Sequence, residues 1–212
     1  MFDDYVNTQT TNAGSIEVDF AADNCDRVAL FNLDATDVDL NLYDDSTSPS
    51  TLVMTKNIDL STDIGTYKSW VVEEIYIYAN STLHVDINKS GSTAKCGTCH
   101  IGRSTLLGTT RYGAQVGATD YSIKSTDSFG RTYLAAGSWA KELSLKIHFD
   151  YDTIDAVFED LVDARGTLVV VEANEDETDL EALRVLCFLP DWRIDISNPT
   201  LAFCDLTLRG SV

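Results

Sequence analysis

The chain has 212 residues, 44% of them hydrophobic, and carries 34 acidic against 15 basic side chains for a formal charge of -19. That length and apolar content exclude a disordered chain and allow one large core or two small ones. The charge repels phosphate and anionic lipid over about 8–10 Å, which argues against specific nucleic-acid or membrane binding, though an acidic wall suits a passage through which DNA must slide.

The start, MFDDYVNTQT, lacks the basic and apolar regions of a secretory signal, and no run of about 18 uncharged apolar residues is present to span a bilayer. Synthesis in the cytoplasm and no membrane segment are expected. Five cysteines, an odd number, then read as reduced thiols rather than a disulfide framework.

From Gly14 to Lys89 short alternating segments follow one another: Ser15 to Phe20, Arg27 to Leu33, Val38 to Tyr43, Leu52 to Lys56, Ser69 to Tyr78 and Leu83 to Asn88. Leu83, Val85 and Ile87 oppose His84, Asp86 and Asn88, the pattern of a strand with one buried and one wet face. The DDSTSPST cluster at 44–51 is read as a loop between strands. These segments predict an N-terminal antiparallel β-sandwich over residues 1–92, of the jelly-roll or carbohydrate-binding type by architectural analogy. Trp70, Tyr76 and Tyr78 share a parity in the segment Ser69 to Tyr78 and are candidate sugar-stacking residues; a row of this kind also serves as half of a core or a subunit contact.

The stretch KSGSTA at 89–94 marks the expected break, with continued strand pairing across it as the alternative, and a C-terminal β-rich domain is expected over 93–212. Cys96-Gly97-Thr98-Cys99-His100 fits C-x-x-C-H, the attachment sequence for a c-type haem, with His100 as axial ligand. Attachment takes place outside the cytosol, and a zinc site would lack a second closely spaced pair, since Cys187 and Cys204 are distant. A redox dithiol would need a helix N-terminus that this stretch does not offer. Cysteines acting as small apolar strand residues are the favoured reading, with a c-type haem or redox protein kept as an alternative; no cofactor and no metal is expected.

Residues 109–134 are rich in Gly, Ser, Thr and Asp with scattered apolar residues, which predicts a long arm with little core of its own. Its candidate subunit-interface residues are Arg111, Tyr112, Tyr121, Phe129 and Arg131. The clearest change of period follows in ELSLKIHFDYDTIDAVFEDLVDARGTLVVVEA, Glu142 to Ala173. Leu143, Leu145, Ile147 and Phe149 alternate as in a strand; Ile154, Val157, Phe158, Leu161 and Val162 then fall at helical spacing and predict a helix over about 152–165, packed by those five residues. Asp152 is its expected cap and Gly166 its stop, and the run Thr167 to Val171 is expected to return to the same sheet. Asn174 to Asp179 reads as a solvated acidic turn without EF-hand spacing. Glu73 and Glu74 point to opposite faces and cannot pair as acid and base there; no G-x-S-x-G, phosphate-binding Gly-rich loop or HExxH occurs, and no enzyme is expected. The fold class expected is mainly β with one packed helix.

The segments FDDYVNTQTT, DRVALFNLDATDVDL, GRSTLLGTTRYGAQVGATDYSIKSTDSFGRTYL and LPDWRIDISNPTLAFCDLTLRG resemble, in this order and spacing, virion proteins of the tail tip or baseplate of tailed bacteriophages, the distal-tail-like adaptors. In that family the place of KCGTCHIGR is similar to a strand leading into an Ile-Gly-Arg or Leu-Gly-Arg turn without cysteines, and many relatives are longer at the N-terminus. The resemblance implies a structural virion protein that forms a homo-oligomeric ring at the distal tail and joins the tube to the hub, fibre and other host-attachment components. A host glycan is kept as a further partner through the N-terminal module.

Overall fold

The structure, a computed structural model, describes residues 8–60, 70–173, 181–189, 192–196 and 198–211. It is mainly β, as expected, with one α-helix among the described residues, and it divides into two compact units, Met1–Ser104 and Thr105–Val212.

The first unit is built from β1 (Thr10–Ala21), β2 (Arg27–Phe31), β3 (Asp37–Asp44), β4 (Thr51–Asp59), β5 (Trp70–Glu74), β6 (Ser81–Cys96) and β7 (Thr98–Gly102). An antiparallel sheet ordered β1-β6-β3-β4 faces a second, ordered β5-β2-β7. Alternation in the sequence decides what lies between them: Ile16, Val38, Leu40, Leu83, Val85 and Ile87 come inward from the larger sheet and Val28, Leu30, Val71 and Cys99 from the smaller. Lys56 of β4 and Glu73 of β5 meet at 2.5 Å and tie an edge strand of one sheet to an edge strand of the other. The expected break at 89–94 is corrected. Those residues belong to β6, where Thr93, Ala94, Lys95 and Cys96 pair with Ala13, Asn12, Thr11 and Thr10. The register shifts between Ala13 and Ser15, with Gly14 at φ 87° and Gly91 at φ 72°, so the polar composition marks a bulge in a long strand and the unit continues to Ser104.

The second unit contains β8 (Thr109–Thr110), β9 (Gln115–Asp120), β10 (Ile123–Thr126), β11 (Thr132–Ala135), β12 (Trp139–Asp150), α1 (Ile154–Asp163), β13 (Leu168–Glu172), β14 (Arg184–Phe188), β15 (Arg193–Asp195) and β16 (Leu201–Arg209). β12 is central, with β16 on one side, β8 and β9 along the other, and β15 beyond β16. Its inward row, Leu143, Leu145, Ile147 and Phe149, packs with Ala202, Cys204, Leu206 and Leu208 of β16, Val185 and Cys187 of β14, and Val157 and Leu161 of α1.

Three expectations for this region change. β13 does not return to the sheet of β12: it pairs with β14 as a separate two-stranded ladder whose Val169 and Val171 lie against the same core. The helix starts later than expected, after a 3-10 turn at Tyr151–Thr153; Thr153 is the cap residue, and neither it nor Asp152 supplies a side-chain cap bond among the described residues. Gly166, at φ 78°, takes the left-handed conformation that ends it. Of the five packing residues Val157 and Leu161 are buried and Ile154 is half-buried, but Phe158 is 49% and Val162 37% exposed. The helix rests on a narrow line rather than its whole stripe, and Phe158 turns aside to meet the Trp192 ring edge-on at 5.1 Å. The acidic turn Asn174 to Asp179 lies outside the described residues.

Candidate assembly surface

The segment 109–134 is an arm in the structure. β9 is paired along β12, Trp139 to Ser144, and then the chain leaves the sheet as the β10–β11 hairpin, whose residues pair only with each other: Ile123 with Ala135, Lys124 with Leu134, Ser125 with Tyr133 and Thr126 with Thr132. All eight are exposed.

Polar chemistry shapes both ends of this hairpin. At its base the Asp120 carboxylate accepts the Ser122 N–H at 2.9 Å and the Ser122 hydroxyl at 2.6 Å, which holds its pKa below the usual aspartate range, and the Gly137 N–H donates to Ser122 Oγ at 3.0 Å. A Cβ on Gly137 would stand 2.6 Å from the Tyr121 carbonyl oxygen, so only glycine allows the two strands to leave the body this closely. At the tip Asp127 accepts the N–H groups of Phe129 and Arg131 and the Tyr133 hydroxyl, with Gly130 at φ 76° completing the turn.

Of the predicted interface residues, Tyr112 and Phe129 are held almost wholly in solvent, at 107% and 86%, and Arg131 is exposed beside Phe129. Tyr121 is partly exposed beside Arg209, whose guanidinium donates to Glu142 at 2.8 Å from Nη2 and 3.1 Å from Nε. Thr119 donates to the same oxygen at 2.5 Å, and these bonds hold the Glu142 carboxyl below its usual range. Arg111 does not extend from the arm: its guanidinium lies 5.1 Å over the Phe203 ring of the sheet.

The aromatic row expected in the first unit is not formed as one strand face. β5 ends at Glu74; Tyr76 and Tyr78 follow outside it, 62% and 39% exposed with Ile77 between them at 55%, and the Trp70 side chain lies outside the described part of the structure. The carbonyl of Tyr78 accepts from Asn24 N–H and Ser81 Oγ, each at 3.2 Å, which fixes the backbone under these rings.

The Cys96 and Cys99 side chains are in the sandwich core. Burial pushes the Cys96 thiol up to about 12 and raises Cys99 well above its ordinary value. His100 points the other way and shares a 2.9 Å hydrogen bond with Thr98 Oγ1, so the two sulfurs and the imidazole of the haem-like motif do not share a face. No group of three or more His, Cys, Asp or Glu side chains among the described residues is placed to hold a metal ion, and no helix among them is long and apolar enough to cross a membrane.

Two charged faces escape a reading of the sequence because strand pairing assembles them. On the outer face of the β1-β6-β3-β4 sheet Glu17, Asp86 and Asp39 stand side by side in register. On the outer face of the five-stranded sheet Lys146, Asp205 and Arg193 form a row that Arg111 extends. Compared with known proteins, the chain matches no family model, no curated protein and no solved structure.

Proposed function

We propose that the chain is a structural, non-catalytic protein of a bacteriophage tail, made in the host cytoplasm, that forms a ring at the distal end of the tail and joins the tube to host-recognition components. The observation that carries this reading is the bare β10–β11 hairpin. An isolated two-stranded ribbon is marginally stable in water, and this one has eight exposed residues, Ile123, Tyr133 and Leu134 among them, and a tip stiffened by Asp127. A neighbouring copy is the partner that a closed ring provides at every arm. The sequence resemblance to distal-tail adaptors points the same way, and the charge of -19 keeps DNA phosphates from adhering as they pass. Sedimentation of the purified chain, with immunogold labelling of tailed particles, tests the proposal. A ring-sized species and label at the tail tip are expected; a monomer at all concentrations with unlabelled particles refutes it.

Sugar recognition by the N-terminal sandwich is a second reading, favoured by the adjacent exposure of Tyr76, Ile77 and Tyr78. A glycan array on the native chain and on Tyr76→Ala/Tyr78→Ala decides it: binding lost in the variant supports it, and silence of the native chain removes it.

A further inference from the structure

In the second unit the strands bring three cations, distant in sequence, onto one face. Leu145 and Ile147 point into the core, so Lys146 points out; it stands opposite Asp205, which stands opposite Arg193. The Arg111 N–H donates to the Lys146 carbonyl at 2.7 Å, which adds a fourth position to this row, and the Arg111 guanidinium lies over the Phe203 ring at 5.1 Å. Arg111, Lys146 and Arg193 are all exposed, and none of them is ion-paired with a carboxylate among the described residues, whereas Arg27, Lys56, Lys89, Lys95, Arg184 and Arg209 are. On a chain of charge -19, Arg111 and Lys146 on neighbouring strands, with Arg193 beyond Asp205 in the same row, form a surface that selects an anionic occupant at its Arg111 end.

The first unit presents a matching surface. Glu17, Asp86 and Asp39 are directly opposed on β1, β6 and β3, with Asp19 and Asp37 in the flanking rows; the base in those rows is His84, which bonds Asp19 at 2.6 Å. Like charges directly opposite across strands destabilise a sheet, and an incoming row of cations relieves that repulsion. Both rows take their period from the strand spacing of about 4.8 Å, so Arg111 and Lys146 stand one step apart as Glu17, Asp86 and Asp39 do, and Asp205 interrupts the cations before Arg193.

We infer that the adjacent Arg111 and Lys146 of one copy dock on the Glu17, Asp86 and Asp39 row of a second copy. The contact is head-to-tail, the type that closes rings or propagates, and it deepens the reading of this chain as a ring subunit, on which it rests. Between charged faces it is salt-sensitive.

Charge-swapped variants of the full chain, followed by sedimentation velocity, test the inference. The native chain should associate at about 50 mM salt and weaken by roughly tenfold or more at about 500 mM. Arg111→Glu/Lys146→Glu and Glu17→Lys/Asp39→Lys should each be monomeric when alone. Mixed together they should associate, because each retains the face that the other has lost; association of the mixture also shows that both variants are folded. The neutral Arg111→Gln/Lys146→Gln variant should weaken association without abolishing folding, read by circular dichroism. A native chain monomeric at every concentration, variants that associate as well as the native chain, or an inert mixture each overturns the inference. So does a duplex oligonucleotide that binds the native chain and not Arg111→Glu/Lys146→Glu, since the row would then be a phosphate site. Charge-swap association with no label at the tail tip keeps the contact and refutes the tail reading; label at the tip with an inert mixture does the reverse.

Discussion

The Asp127 carboxylate accepts the Phe129 N–H at 2.9 Å and so holds an aromatic ring out at the tip of a hairpin that is not covered among the described residues. A ring 86% exposed adds little to the stability of the isolated subunit, so Phe129→Ala should leave the thermal midpoint within the range of an ordinary surface change, about 0.5 kcal/mol, while reducing self-association. Asp127→Ala should reduce it too, by loosening the turn. Light scattering beside thermal melts separates the two readouts; a melt lowered as far as association would mean that Phe129 packs within its own subunit.

The helix offers a contrast between two apolar residues of one stripe. Leu161 is fully buried, and Leu161→Ala should cost about 2–5 kcal/mol. Phe158, with its 5.1 Å contact to Trp192, should lose about 1 kcal/mol on truncation to Ala. Denaturant unfolding of both variants measures the difference, and equal losses would contradict the narrow packing line.

Thiol chemistry should follow burial. Cys96 and Cys187 are pushed up to about 12, and Cys99 and Cys204 are raised as well, by burial first, so a thiol reagent near pH 8 should find Cys25 first in the native chain and all five after denaturation. Cys25 itself is raised, by burial and then by Asp26 and Asp23, so its reaction should accelerate at higher pH. Mass mapping of labelled peptides checks the order; fast native labelling of Cys96 and Cys99 would reopen the haem or redox alternative.

Two aspartates of the first unit give opposite responses to acid. Burial, then Glu17 and Asp39, raise Asp86, whose Oδ1 is buried without a hydrogen-bond partner among the described residues. A carboxyl with a raised folded pKa binds its proton more tightly in the native state, so its unfavourable contribution fades as pH falls through that value. Asp34 is lowered, chiefly by its bond to Lys89 and also by Lys95, so its contribution is present above the ordinary aspartate range and lost as pH falls through its folded value. Asp86→Asn should therefore raise the thermal midpoint near neutrality, with the gain vanishing on acidification; Asp34→Asn should lower it near neutrality, with the loss vanishing. Melts from about pH 7 to about pH 3 test both signs.

Much of this architecture was legible where a local pattern decides it. Leu83, Val85 and Ile87 alternate with polar residues and are buried, and the inward row of β12 follows the same rule. Pairing partners were not legible, because they depend on long-range register: the apolar run Leu168 to Val171 looks like a return to the sheet of β12 and instead pairs with β14. The polar stretch 89–94 looks like a linker because a bulge and a linker draw on the same residues. Tyr112 and Phe129 in the arm could be found from composition, since nothing near them in sequence could bury them. The row of Arg111, Lys146 and Arg193 could not, because β8, β12, β16 and β15 must first be aligned.

Electron cryo-microscopy of the associated chain tests the central claim most directly. The account predicts a closed ring in which each 109–134 arm, with Tyr112 and Phe129, lies against the next subunit. Density for a single subunit whose hairpin folds back onto its own body, or for an assembly in which every arm remains bare in solvent, would contradict it.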